Sequence, residues 1–346
     1  MKRTLLLAYS ALLFVYLLPL VFRDGPAVSP RETGTATLLP SESFPADELA
    51  PPQPAGTPLP QTAGTPLPQT IRVLCGDEIL EMDMQDYLTG VVAAEMPASF
   101  PGEALKAQAV AARSYALSCA ASRKHGDAEV CADPACCQAW LSRDRLRENW
   151  GADYERNLAL VRAAVDATAG EILCYEGEPI FAAFHSSSAG ATEDSGAVWN
   201  PRPYLISVDS PETARDVPGY VSTLLCAPID FRDVILSAYP EADFSGEAES
   251  WIGPLRRDGS GRVESVELGG VAVPGKTLRR LFSLRSTAFS LTCTEEGFLF
   301  TVTGYGHGVG MSQYGAAVMA REGADYRRIL AHYYPGTELV EGLKGP

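Results

Sequence analysis

An alanine-rich segment at residues 103–117 constrains the fold more than any other part of this sequence. Six of its fifteen residues are alanine, the strongest helix former, and such small side chains let neighbouring backbones approach closely. We therefore predict a central helix that other elements surround. Ser99 is placed to cap its N-terminus, with Pro101 and Glu103 in the first turn.

A second helix precedes it, over residues 84–97, and carries a carboxylate on its apolar face. Met84, Leu88 and Val91 follow helical spacing, and the next position of that spacing is Glu95. Pro97 ends the helix, so Glu95 lies in the last turn at the negative end of the helix dipole. Burial and the dipole both disfavour a negative charge, which predicts a raised pKa and a general acid. The alternative is a structural carboxylate paired with Lys106 or Arg113.

The rest of the chain alternates between short strands and helices, which indicates an α+β fold in one large domain spanning residues 71–346. The strands are predicted at residues 71–75, 79–82, 171–175, 179–184, 204–208, 262–268, 288–294 and 297–302. Further helices are predicted at residues 138–150, 154–168, 229–239, 277–284 and 316–322. Residues 118–137 are predicted to be irregular.

The N-terminal part has a different composition. Lys2 and Arg3 precede an uncharged apolar run that reaches residue 22, close to the ~20 residues that span a bilayer, so residues 1–23 are predicted to be a transmembrane signal anchor. A cleaved signal peptide is the alternative. Residues 24–70 are rich in Pro, Thr and Gly and contain a tandem octapeptide, which predicts a disordered linker.

Charge and cysteine content restrict the partners. A net charge of −15 argues against a nucleic-acid partner, which requires clustered Lys and Arg. His125, Cys131 and Cys137 are spaced by five residues each and offer the nitrogen and sulfur donors that zinc accepts. The alternative is a disulfide from Cys136 or Cys137 to another cysteine, since an extracytoplasmic chain can form such bonds.

Two polar segments remain as candidate binding regions. His185 opens a serine-rich segment at the end of a predicted strand, a common place for a ligand. Glycines alternate strictly from Gly304 to Gly310, and in an extended segment this would leave one bare face for a flat ligand, with His307 on the opposite face. The alternative is a tight crossing of strands.

Several of these segments together resemble the SpoIID/LytB domain family, in order along residues 71–340. The resemblance is carried by residues 91–97 (VVAAEMP), 103–117 (EALKAQAVAARSYAL), 131–138 (CADPACCQ), 184–188 (FHSSS), 284–287 (LRST), 304–316 (GYGHGVGMSQYGA) and 332–337 (HYYPGT). Cys136, which makes a vicinal pair with Cys137, and Ala189, which stands where a second glycine is common, depart from the family pattern.

The resemblance implies a lytic transglycosylase that cleaves peptidoglycan strands from which the stem peptides have been removed, with Glu95 as the catalytic residue. It also implies a structural zinc ion bound by His125, Cys131 and Cys137. The implied partners are a sporulation amidase and a membrane scaffold of the engulfment machinery. The implied location is the cell membrane, crossed once, with the catalytic domain extracytoplasmic between the mother-cell and forespore membranes.

The chemistry of such a reaction agrees with a single buried carboxylate. A hydrolytic glycosidase needs two carboxylates, whereas a transglycosylase can use one as acid and then as base, because the muramic C6 hydroxyl replaces water and leaves a 1,6-anhydro end. Six further residues are hypothesised to bind the sugar: Gln108, Tyr115, His185, Ser187, His307 and Tyr314. The alternatives are a non-catalytic peptidoglycan-binding enhancer of a cell-wall amidase, and a zinc hydrolase.

Overall fold

The computed structural model describes residues 67–342. The predicted anchor and nearly all of the predicted linker lie outside these residues. Within the described part, no helix combines the length and the apolar character needed to cross a bilayer.

Nine α-helices and two short 3-10 helices lie in the described part of the chain. The α-helices are α1 (Met84–Glu95), α2 (Gly102–Ser122), α3 (Arg143–Trp150), α4 (Tyr154–Ala167), α5 (Ser195–Val198), α6 (Pro228–Ala238), α7 (Gly275–Leu281), α8 (Gln313–Arg321) and α9 (Tyr326–Tyr333). The 3-10 helices are Gly151–Asp153 and Ala248–Ser250.

Fourteen strands form five small sheets within the same residues. They are β1 (Thr70–Cys75), β2 (Glu78–Asp83), β3 (Val130–Cys131), β4 (Glu171–Tyr175), β5 (Glu178–Pro179), β6 (Phe184–His185), β7 (Val221–Cys226), β8 (Ile252–Arg257), β9 (Val263–Leu268), β10 (Val271–Pro274), β11 (Phe289–Thr294), β12 (Gly297–Thr303), β13 (Met311–Ser312) and β14 (Glu338–Glu341). The sheet orders are β2-β1-β3, β14-β4-β5, β13-β6, β10-β9-β8 and β11-β12-β7. Neighbouring strands are antiparallel except for the β1–β3 and β13–β6 pairs, which are parallel. The α+β prediction is confirmed for this part of the chain.

The central position predicted for the alanine-rich helix is confirmed. α2 packs against α1, α4, α8, α9 and β4, and its alanines from Ala104 to Ala116 are fully buried. The start of α2 differs from the prediction: Pro101, not Ser99, precedes its first turn, and no side chain caps it. Pro101 has extended geometry (φ −53°, ψ 142°), and its carbonyl accepts the N–H of Ala104 at 2.9 Å.

Helix α1 begins and ends for reasons that are local in the sequence. Asp83 accepts hydrogen bonds from the backbone N–H groups of Gln85 (2.8 Å) and Asp86 (3.1 Å), which satisfies two donors of the first turn. At the other end Met96, which precedes a proline, is extended (φ −125°, ψ 140°). Glu95 is therefore the last helical residue.

Most of the buried apolar side chains in the described part of the chain belong to two clusters. The first surrounds α2 and includes residues 71–205 and 309–334. The second includes residues 226–302 and is rich in phenylalanine, with Phe231 stacked on Phe298 at a centroid distance of 4.0 Å. The predicted hairpin at residues 288–302 is confirmed as β11 and β12, which supply much of the second cluster.

Several predicted elements are wrong or shorter than expected. Residues 138–142 form no helix, because the N–H groups of Ala139 and Leu141 bond to α1 instead of to their own segment. Residues 204–208 form no strand, and residues 180–183 join β5 to β6 without strand pairing. The segment 118–137 is not wholly irregular, since α2 continues to Ser122 and β3 pairs with β1.

Candidate active site

Glu95 is held between two hydrogen-bond donors at the end of α1. The backbone N–H of Ala139 donates to Oε1 at 2.9 Å, and the side chain of Gln313, the first residue of α8, also bonds to the carboxylate. Burial raises the pKa of Glu95 from 4.5 to about 7, against the opposite effect of these two hydrogen bonds. The carboxyl group therefore exchanges a proton near neutral pH.

The two cations that could pair with Glu95 in a purely structural role interact with other groups. Lys106 pairs with Glu103 at 2.7 Å. Arg113 is buried and donates to the carbonyls of Thr168 (2.8 Å) and Glu171 (2.9 Å). Both cations proposed as partners of Glu95 are thus occupied, which leaves burial as the main influence on its pKa.

Gln313 connects Glu95 to two of the residues hypothesised to bind sugar. Its Nε2 lies 3.5 Å from Oε1 of the fully buried Gln108. The next residue, Tyr314, is half-buried, and its ring meets that of Phe100 edge-on at a centroid distance of 5.0 Å. Gln313 was not predicted as a site residue, although it lies within one of the motifs shared with the family. Its position directly after the glycine-rich segment was the available signal.

The predicted metal ligands come together, with one addition. His125, Cys131, Cys136 and Cys137 each offer a ligand atom, and all four atoms lie within 4.8 Å of one another. His125 Nε2 is 3.2 Å from Cys137 Sγ and 3.6 Å from Cys136 Sγ. No cysteine in the described residues forms a disulfide, so the disulfide alternative is not found there. Cys136, which sequence reasoning treated as a complication, completes a set of four donors.

This cysteine cluster is linked through the backbone to Glu95. Cys137 is followed by Gln138, whose Oε1 accepts a hydrogen bond from the buried Tyr87 hydroxyl of α1 at 3.1 Å. The next residue, Ala139, donates to Glu95. Whatever holds the cysteine segment in place therefore also holds the N–H group that contacts the carboxylate.

The glycine-rich segment is not extended, and the expectation of a bare face for a flat ligand is wrong. Gly304, Gly306, Gly308 and Gly310 have φ values of +74°, +118°, +89° and +73°. A Cβ at Gly304 would lie 2.7 Å from the Ser187 carbonyl oxygen, and one at Gly310 would lie 2.0 Å from that of Ala183. The glycines therefore allow a close crossing of two backbone segments, as the alternative reading stated.

His185, Ser187 and His307 meet at this crossing. The buried His185 ring contacts the Val309 carbonyl through Nδ1 (3.3 Å) and the Ser188 hydroxyl through Nε2 (2.7 Å). His307 lies 5.7 Å from the His185 ring, and its Nδ1 accepts the Val309 N–H at 3.1 Å. Ser187 is buried, and its Oγ has no hydrogen-bond partner among the described residues. Sugar contact by these three side chains stays a prediction.

Tyr115 lies deeper in the protein and is connected to the glycine-rich crossing by a series of aromatic contacts. It packs against Phe181 at a centroid distance of 4.8 Å, Phe181 is 6.0 Å from Trp199, and Trp199 is 4.8 Å from His307. Tyr115 is only 7% exposed, so the structure places it beneath a surface rather than on one.

Glu212 connects the serine-rich segment to α8 through hydrogen bonds. It is a buried carboxylate that was not predicted from the sequence. Glu212 accepts the N–H of Ser188 at 2.6 Å and the hydroxyls of Ser210 and Ser312. Ser312 caps α8, so Glu212 fixes the start of the helix that presents Gln313 to Glu95. An isolated glutamate in an irregular segment carries no periodic signal by which it could have been found.

Comparison with known proteins agrees with this arrangement. A family described as SpoIID, stage II sporulation protein, matches residues 76–175, which include Glu95 and the cysteine cluster. Stage II sporulation protein D of Bacillus amyloliquefaciens is 36% identical over 263 residues, 75% of this chain and 74% of that protein. The protein of the same name from Bacillus subtilis (strain 168) is 35% identical over the same length and the same shares of both chains.

A more distant relative is the amidase enhancer of Bacillus subtilis (strain 168). It is 29% identical over 303 residues, which is 73% of this chain but 40% of that protein. The identity to the two sporulation proteins, over about three quarters of each chain, is the stronger relationship. The chain belongs to the SpoIID family of stage II sporulation proteins.

Proposed function

We propose that this chain is a lytic transglycosylase that cleaves the MurNAc-GlcNAc bond of peptide-free peptidoglycan strands during sporulation. The observation that carries the proposal is Glu95, a carboxyl group with a pKa of about 7 and two hydrogen-bond donors, which pairs with no cation among residues 67–342. A group that holds a proton at neutral pH can protonate the oxygen of a glycosidic bond.

The reaction follows from the two states of this carboxyl group. In the first step protonated Glu95 gives its proton to the glycosidic oxygen, the bond to the anomeric carbon breaks, and the GlcNAc side leaves as an alcohol. The Ala139 N–H and the Gln313 amide stabilise the carboxylate that forms. In the second step the carboxylate takes the proton of the muramic C6 hydroxyl while that oxygen bonds to the anomeric carbon. The product ends in a 1,6-anhydro sugar, and Glu95 is protonated again.

The four-donor cluster fits a structural zinc ion. One imidazole and three thiols within 4.8 Å are the donor set that zinc takes in closed tetrahedral sites. His125, Cys131, Cys136 and Cys137 would hold the ion, whose charge would stabilise the thiolates. Its contribution to the reaction would be to position the Ala139 N–H, two residues beyond Cys137, against Glu95.

The proposal places this activity outside the cytoplasm, on a single-pass anchor at residues 1–23 and a flexible linker. The partners proposed with it are the glycan strands themselves, a sporulation amidase that removes the stem peptides, and a membrane scaffold of the engulfment machinery. These parts of the proposal rest on the sequence resemblance and on membership of the family.

The direct test is turnover of peptide-free glycan strands by the purified chain, with mass spectrometry of the product ends. We expect 1,6-anhydro ends. Reducing ends would indicate a hydrolase instead, including one that uses the cysteine cluster.

A second candidate is a non-catalytic glycan-binding protein that stimulates an amidase, which the similarity to an amidase enhancer favours. In that case the chain binds the strands without cleaving them, and added amidase works faster in its presence. Absence of any cleavage, together with such stimulation, would replace the proposal.

A further inference from the structure

Glu212 bonds to two separate segments of the candidate active site. Its Oε1 accepts the backbone N–H of Ser188 at 2.6 Å and the hydroxyl of Ser312. Its Oε2 accepts the hydroxyl of Ser210 at 2.6 Å. Ser188 belongs to the serine-rich segment that begins at His185, whereas Ser312 directly precedes α8. One carboxylate therefore joins two segments that are distant in the chain.

The hydrogen-bond pattern indicates that Glu212 is ionised. The Ser312 oxygen accepts the Gly315 N–H at 3.1 Å, so its own proton points at Glu212. Ser188 and Ser210 also donate, which makes Glu212 an acceptor in all three bonds. Such charge-assisted hydrogen bonds are about twice as strong as neutral ones. Because Glu212 is only 2% exposed, these donors take the place of water around its charge.

Glu212 also packs directly against the first turn of α8. A Cβ at Gly315 would lie 2.7 Å from Glu212 Oε2 and 2.0 Å from the Tyr333 hydroxyl. The charge of Glu212 acts on three titratable neighbours: after burial it raises the pKa of Tyr333 and Tyr220, and it opposes the effect of burial on Arg262. The carboxylate is thus fixed beside the helix start by contacts from several sides.

The start of α8 is the part of that helix that lies next to Glu95. Gln313 Nε2 makes a long contact of 3.5 Å with Gln108 Oε1, and the same side chain bonds to the Glu95 carboxylate. The Tyr314 N–H donates to the Ser186 carbonyl at 3.0 Å. Neither side-chain bond of Gln313 anchors the helix itself. The position of the helix start therefore decides whether the amide reaches Glu95.

We propose that Glu212 is a positioning residue that keeps the Gln313 amide against Glu95. It does so by holding Ser312 and Ser188 with one carboxylate, so that α8 does not shift away from the serine-rich segment. The inference rests on the proposed function only for the role of Glu95 as the acid. When Glu95 has given up its proton, the Gln313 amide is one of its two hydrogen-bond donors. Glu212 thus stabilises the ionised acid through the placement of a helix.

Positioning and direct electrostatics make opposite predictions for the loss of Glu212. The Gln313 hydrogen bond opposes the effect of burial and lowers the Glu95 pKa, so removal of Glu212 raises this pKa if it acts through Gln313. If Glu212 acted by its own negative charge, its removal would lower the same pKa. The titratable groups beside Glu95 stay neutral: burial raises the pKa of Tyr87 on α1 and of Tyr314 on α8, and residues 138–142 carry none.

The test is a direct titration of Glu95 in the full chain, followed by NMR of carbon-13 in the glutamate carboxyl groups. Glu95→Gln identifies the signal. We expect a wild-type midpoint at about pH 7, and a midpoint about one pH unit higher in Glu212→Ala, which corresponds to one lost charge-assisted hydrogen bond. Gln313→Met is expected to give the same rise. Adding Glu212→Ala to Gln313→Met should give no further rise, because both act through one contact.

Two variants serve as controls. Glu212→Gln retains all three hydrogen bonds, because its amide oxygen replaces Oε1 as acceptor and its amide nitrogen donates to Ser210. It is expected to keep the wild-type midpoint, as a positioning role requires. Glu171→Gln changes another buried carboxylate, which bonds to α9 instead of α8, and should also leave the midpoint unchanged.

Ser312→Ala provides a second route if Glu212→Ala does not fold, which circular dichroism verifies. It removes only the hydroxyl that bonds to Glu212, and it is expected to raise the midpoint as well. An unchanged or lowered midpoint in folded Glu212→Ala, or in Ser312→Ala, would overturn the positioning role, as would a further rise in the double variant. Cleavage is scored separately: the expected shifts in a chain that forms no anhydro ends would contradict the proposed function and leave the positioning role standing.

Discussion

At the scale of one residue, the environment of Glu95 could be predicted only in part from the sequence. Its helical spacing from Leu88 and Val91 correctly predicted a carboxylate against an apolar face, and Pro97 correctly placed it in the last turn. The groups that contact it were not predictable, because Ala139 and Gln313 approach from distant parts of the chain. Cys136 was misjudged for a related reason: spacing alone does not tell that both of the adjacent thiols, Cys136 and Cys137, lie against His125.

The raised pKa of Glu95 predicts a pH dependence of the reaction. Only the protonated carboxyl group can start the first step, so kcat/KM should be constant below pH 7 and fall about tenfold per pH unit above it. The measurement is cleavage of peptide-free strands from about pH 5 to about pH 9. A fall centred near 4.5, the ordinary value for a glutamate, would show that burial does not control this group.

The same pKa shift predicts the effect of Glu95→Gln on stability. The folded state holds the Glu95 proton up to a pH of about 7, whereas the unfolded state releases it near 4.5, so wild-type stability declines as pH rises through this window. The neutral glutamine has no such dependence. At about pH 8 the variant should exceed the wild type by up to about 3 kcal/mol in free energy of unfolding, and below 4.5 the two should converge. Urea denaturation at both pH values measures this. A variant less stable than the wild type at the higher pH would contradict the shift.

At the scale of helices and strands, sequence patterns predicted correctly those elements whose conformation is determined by their own residues. The hairpin of β1 and β2 and the pairing of β11 with β12 follow from strand periodicity and turn residues, and the structure confirms them. Residues 138–142 and the glycine-rich segment were misassigned because other segments determine their backbone. The first bonds to α1, and the second crosses the segment that carries His185.

The close crossing at the glycine-rich segment predicts that adding one methyl group at Gly310 strongly lowers the stability of the fold. Gly310→Ala places a Cβ 2.0 Å from the Ala183 carbonyl oxygen at a φ of +73°, so both sterics and backbone conformation oppose it. We expect a loss of at least about 2 kcal/mol in free energy of unfolding. Gly102→Ala is the matched control, since a Cβ there meets nothing within 4 Å, and we expect a change within about 0.5 kcal/mol. Equal effects of the two substitutions in chemical denaturation would contradict the close crossing.

The cysteine cluster predicts a link between metal and stability. If zinc occupies the four donors, chelation should lower the melting temperature, because an ion at a free concentration about 1,000 times its Kd stabilises the folded state by about 4 kcal/mol. Cys136→Ser should weaken zinc binding by at least about tenfold in competition titrations, whereas Cys293→Ser, at a residue that packs against the second hydrophobic cluster, should leave it unchanged. Elemental analysis of the reduced chain without stoichiometric metal would contradict the site.

At the scale of the whole molecule, the fold class was predictable and the spatial arrangement was not. Periodicity identified most helices and strands one by one, but no local pattern indicates that the buried apolar residues divide into two clusters. The convergence of α1, α8 and the segment after Cys137 on one carboxyl group likewise depends on long-range packing. The anchor at residues 1–23 and the linker that follows remain predictions from composition.

The central claim is that the whole molecule brings one proton, held by Glu95, to a glycosidic bond. The most direct measurement compares Glu95→Gln with wild type and with Glu155→Gln, an exposed glutamate of α4, at equal occupancy by peptide-free glycan strands. We expect Glu95→Gln to bind the strands with unchanged affinity and to form anhydro ends at least about 100 times more slowly, while Glu155→Gln matches the wild type. Anhydro ends formed by Glu95→Gln at the wild-type rate would contradict the account.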